Sequence, residues 1–135
     1  MKPIIEKRTA IKIIGINLTL FLLLVGIIYI NKTVFRPTFN ENYVAQILTG
    51  SFPNFIAAYL ISLCAVNPVI IRRPRLGRVI VYLGSLFTMT VLIIDELKSI
   101  GASKQYDSYD IAGSILGALL AILTFEYLNY KKNKA

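Results

Sequence analysis

Residues 13–30 read IIGINLTLFLLLVGIIYI, eighteen consecutive positions without a charge, and this stretch decides the fold class. Crossing roughly 30 Å of hydrocarbon at about 1.5 Å per helical residue takes about 20 mostly apolar residues. Working outward, three more stretches qualify: 52–71, 79–94 and 111–128, each bounded by charge or by Pro and Gly. The whole chain agrees, since 135 residues that are 56% hydrophobic, with a mean hydropathy of +0.64, are too apolar for a soluble core. The expectation is a single all-α membrane domain over 1–135 with four transmembrane helices. A basic leader (Lys2, Lys7, Arg8, Lys12) has the look of a secretory signal. No small-residue cleavage site follows residue 30, so the first span is read as a retained helix.

Orientation follows from Lys and Arg in the short connections, because basic residues resist translocation. The N-terminal tail, the loop RRPRLGR (72–78) and the C-terminal tail (Lys131, Lys132, Lys134) hold eleven of the fifteen. The two other connections hold four: Lys32, Arg36, Lys98 and Lys104. That imbalance predicts both termini inside and a multi-pass protein of the bacterial plasma membrane. In the first outer loop, NENYVAQILTG (40–50) offers an Asn cap, an apolar face of Val44, Ile47 and Leu48, and a closing Gly. These predict a short interfacial helix, after which Ser51-Phe52-Pro53 opens the second span.

Composition also excludes chemistry. The net charge of +8 sits in clusters between apolar runs, which points to topology and not to a nucleic-acid face. With no His and one Cys, Cys64, there is no basis for a Cys/His metal site, a disulfide or a Cys–His nucleophile pair, and no cofactor is implied.

Within the spans, Asn17 and Asn67 each stand four residues from a boundary on the same side. A hydrogen bond between them is expected, with interfacial water as the alternative partner for each amide. In the fourth span Gly113, Gly117 and Ala121 recur every four residues, a small-residue ridge that lets a neighbouring backbone approach closely. Asp110 projects to that side and Glu96 closes the third span, so the ridge is expected to bring two acid-bearing helix ends side by side. Glu96, Asp110, Asp107, Lys104 and Ser114 are the candidate ligand-binding residues; the plainer alternative is helix capping by Asp107 or Asp110 and a water boundary at Asp95-Glu96. Glu126 is expected to pair with the arginine loop. That loop reads as a topology signal or as a site for anionic lipid. Tyr29, Phe125, Tyr127 and Tyr130 read as interfacial anchors.

The run DELKSIGASKQYDSYDIAGSILGALLA (95–121) resembles the VanZ-like family of small bacterial membrane proteins. In that family a Glu closes one span, a short loop carries a basic residue and an Asp, and an Asp opens the last span ahead of an Asn and a Gly-Ala pair. Glu96, Lys104, Asp107, Asp110 and Gly117-Ala118 stand at the matching places. Ser99, Lys104 and Ser114 depart from the common Gln, Arg and Asn, and the His that often precedes the second span is missing. The resemblance covers about a fifth of the chain. It implies a cell-envelope role linked to resistance against a lipoglycopeptide antibiotic, with no established reaction.

Three function classes fit. The first is a non-enzymatic envelope protein binding a polar headgroup or lipid-linked ligand at the outer carboxylates. The second is a small homo-oligomeric proton- or cation-coupled transporter subunit. The third is a membrane enzyme using the carboxylate pair, disfavoured because no nucleophile motif or phosphate-binding loop is present.

Overall fold

A computed structural model of the chain describes residues 2–98 and 108–134. It is all-helical there: α1 (Lys2–Ile30), a π-helical turn (Asn31–Phe35), the single turn α2 (Arg36–Thr38), α3 (Tyr43–Arg72), α4 (Gly77–Lys98) and α5 (Ser108–Lys134). Four stretches are long and apolar enough to cross a membrane: Glu6–Thr38, Tyr43–Arg72, Gly77–Lys98 and Ser108–Lys134. Each expected span lies inside one of them. Large apolar side chains such as Phe21, Phe87 and Leu123 cover the outside, Phe87 at 71% exposure. Hydrocarbon solvates such a surface and water does not.

Two expectations about the stretch between the first two spans are corrected. Residues 40–50 do not form a separate helix, because Tyr43 begins the same continuous helix that ends at Arg72. Asn42 is its cap, accepting from the Val44 and Ala45 amides at 3.0 and 3.4 Å. Residues 31–38, expected as loop, prolong α1 with hardly a break, and the polar groups responsible belong to the site below.

Helices α3, α4 and α5 form the core, and among the described helices α1 packs on α3. The α3–α5 seam is the closest. A Cβ added at Gly113 would lie 2.9 Å from the Ser51 carbonyl oxygen, and one at Gly117 would overlap that of Phe55. Ala121 beneath them is fully buried. The ridge therefore serves the second span, and the carboxylate-bearing ends of α4 and α5 are aligned by something else. Ser62 of α3 and Ser85 of α4 are fully buried, and Gly84 of α4 backs onto Ala65 of α3. Phe125 is no interfacial anchor: at 2% exposure it packs with Val66, Val69 and Val81. The three tyrosines, at 59% exposure or more, do face outward.

Candidate functional site

The pairing of α4 with α5 is anchored at one end by Glu126. Its Oε2 lies 3.1 Å from Arg78 Nη2, and its Oε1 accepts from the Tyr82 hydroxyl at 2.8 Å. The two helices are antiparallel, so equal climbs from this anchor reach equal depth. Fourteen residues from Tyr82 lead to Glu96, and sixteen back from Glu126 lead to Asp110, climbs of roughly 21 and 24 Å. Both carboxylates thus stand at the far end of the bundle, about 3 Å apart in depth at this rise. Both residues are half-buried, whereas Asp95 beside Glu96 is exposed. Glu96 and Asp110 are each engaged in an interaction.

Asp110 opens the ridge face of α5. One turn on, Ser114 is 1% exposed and its hydroxyl donates to the Asp110 backbone oxygen at 3.1 Å. That hydroxyl is directed at its own helix, as the Thr88 and Thr124 hydroxyls are toward Gly84 and Leu120. Lys104 and Asp107 lie outside the described residues. Among the described residues no group of three or more His, Cys, Asp or Glu is placed to hold a metal.

A second set of polar contacts joins α1 and the turns after it to α3, and it centres on two prolines. Pro53 and Pro68 lie inside α3, and a proline in a helix has no N–H for the carbonyl four residues earlier. The carbonyls concerned are Thr49 and Cys64. Asn31 Nδ2 donates to Thr49 O at 2.8 Å, and Asn17 Nδ2 donates to Cys64 O at 3.3 Å. Arg36 adds Nε to Thr49 O at 3.4 Å and Nη2 to Gly50 O at 3.2 Å. Asn67 Nδ2 then donates to Asn17 Oδ1 at 2.9 Å, the asparagine pair expected between the first two spans.

The spacing makes this possible. Asn17 and Asn31 are fourteen residues apart and share one face of α1 with Leu24, while the freed carbonyls are fifteen apart on the antiparallel α3. An unpaired carbonyl is unfavourable in hydrocarbon, so a donor at each freed carbonyl favours this register of the two helices. The π-helical turn begins at Asn31, which is 1% exposed, and the chain continues helically to Arg36 because both side chains are held on α3. Neither Asn31 nor Arg36 stands out in the sequence. The signal that finds them is a proline inside an apolar run, which demands a donor at the carbonyl four positions back.

Two cavities accompany these features. One of about 230 Å³ is lined by Asn31, Thr49 and the apolar side chains of Phe35, Phe39, Leu48 and Phe52. The other, about 270 Å³, opens at the opposite, basic end among Arg73, Arg75, Arg78 and Lys132. No protein-family model matches the chain, and neither does any curated protein or solved structure.

Proposed function

We propose that the chain is a non-enzymatic, multi-pass protein of the bacterial plasma membrane, with both termini cytoplasmic, that binds a polar or lipid-linked headgroup at its outer end. The binding residues are Glu96 and Asp110, with Lys104 and Asp107 on the connection between their helices. The observation that carries this reading is the register set by Glu126, which supports Glu96 and Asp110 standing level and half-buried at one end of the bundle. A carboxylate has several acceptor positions, and a ligand rich in amine, amide or hydroxyl donors suits a half-buried pair of them at the edge of hydrocarbon. The resemblance of 95–121 to the VanZ-like family adds the expectation of a link to glycopeptide tolerance. The inside placement of both termini rests on the distribution of Lys and Arg.

The α1–α3 clamps favour this reading over cation-coupled transport. Transporters use carbonyls freed by helix breaks to coordinate their ions. Here amide donors already occupy the carbonyls freed by Pro53 and Pro68.

The test is exchange of Glu96→Gln and Asp110→Asn, singly, in a host whose glycopeptide tolerance depends on the intact protein. Each variant, at unchanged membrane level, is expected to lose that tolerance. Full tolerance in both would remove the carboxylates from the function.

A further inference from the structure

The cavity at the basic end is framed by the end of α3, the loop 73–76, the start of α4 and the last turns of α5. Four cations line it: Arg73, Arg75, Arg78 and Lys132. Two are committed elsewhere, since Arg78 pairs with Glu126 at 3.1 Å and Lys132 Nζ donates to the Ile70 carbonyl at 3.1 Å. That carbonyl belongs to the last turn of α3, where helix geometry supplies no donor. Arg73 and Arg75 have no acidic partner among the described residues. The positive end of the α4 dipole opens onto the same space. Among the described residues four cations and no carboxylate line about 270 Å³, so an anion entering between them relieves mutual repulsion.

Arg73 sharpens the point. It has φ 50°, the only positive φ outside glycine among the described residues, and its N–H closes α3 onto the Val69 carbonyl at 2.9 Å. Glycine is the residue that takes this position without strain. An arginine immediately before Pro74 carries a conformational cost that its backbone role does not explain, and a role for the guanidinium does.

We propose that this cavity binds the phosphate of an anionic phospholipid from the leaflet at the basic end, with Arg73 and Arg75 as its principal donors. A lipid is the occupant, in preference to a free anion, because the cavity continues onto apolar side chains. Val69, Leu76 and Phe125 line it, at the depth where the apolar spans end. Arginine suits a phosphodiester because its planar fork presents two parallel N–H donors. This site is at the opposite end of the bundle from the carboxylates and stands whether or not they bind a headgroup.

The experiment uses the full chain, delipidated in a neutral detergent. Phosphatidylglycerol, phosphatidylcholine with the same acyl chains, and inorganic phosphate are added back, with bound lipid counted by native mass spectrometry. Phosphatidylglycerol is expected to bind about tenfold more tightly than phosphatidylcholine, and phosphate not to displace it. The Arg73→Gln/Arg75→Gln pair removes that preference. The Arg73→Lys/Arg75→Lys pair keeps the charge and the fold and retains only part of it. Arg73→Gly weakens lipid binding while the lipid-free protein melts at an equal or higher temperature, which a merely structural arginine would not do. Lys7→Gln/Arg8→Gln removes equal charge from the N-terminal tail and leaves binding unchanged. Equal affinity for the two lipids, displacement by phosphate alone, or equal loss in the Lys7/Arg8 pair would overturn the proposal.

Discussion

Helix α3 is gripped on two sides in two ways. Toward α5 it meets glycines and alanines at backbone contact, with Gly117 resting on the Phe55 carbonyl and the Tyr59 and Thr124 hydroxyls 3.3 Å apart across the seam. Toward α1 it meets a thin stripe of leucine and isoleucine with an asparagine near each end, and only Leu24 and Asn31 of that partner, among residues with described side chains, are buried. The first grip comes from dispersion between surfaces that fit. The second comes from satisfying two carbonyls that prolines have freed. In a bilayer, where apolar burial supplies no drive for association, both are sufficient, but they fail differently: the close seam to added volume, the clamps to the loss of a donor.

The largest effect is expected at the seam. Gly117→Leu forces α5 off α3 and is expected to cost about 3 kcal/mol, the upper end for overpacking, read as loss of folded protein in reversible detergent unfolding. Near-normal stability would mean that the contact with Phe55 yields easily. Next comes Asn17→Ala, which leaves the Cys64 carbonyl without its donor and is expected to cost about 1 kcal/mol. In a Pro68→Ala background the backbone N–H restored at that position takes the carbonyl, so the cost of Asn17→Ala should fall by half or more in a double-mutant cycle. An unchanged cost in both backgrounds would break the link between proline and asparagine. The smallest effect belongs to Glu126→Gln. Its partner Arg78 has a side chain 66% exposed, and such pairs contribute below about 1 kcal/mol. Stability of the unaltered protein should accordingly differ little between low and high salt, and a large difference would give the ion pair more weight than its exposure allows.

The four spans were legible because uninterrupted apolar length is itself the physical requirement for crossing a bilayer. The asparagine pair was legible for a related reason: equal distances from span boundaries imply equal depth. The glycine ridge was visible as a close-packing face, but its spacing does not say which helix arrives, and α3 arrives where α4 was expected. The helical stretch 31–38 was not visible, since Asn31, Lys32, Thr33 and Arg36 read as a polar loop until the carbonyls they meet are known. At the candidate site the common level of Glu96 and Asp110 follows from two helices of similar length. The commitment of the Ser114 hydroxyl to its own backbone does not follow, because a serine in a span donates inward or across according to a rotamer that sequence does not encode.

The most direct test of the proposed site is proximity between its two carboxylate positions. With Cys64→Ala as background, Glu96→Cys and Asp110→Cys together should form a cross-link with a short bifunctional maleimide in the membrane, as Tyr82→Cys with Glu126→Cys should at the other end. A cross-link at the Tyr82 and Glu126 positions with none at the Glu96 and Asp110 positions would show that the helices separate toward their acidic ends, leaving no shared headgroup site.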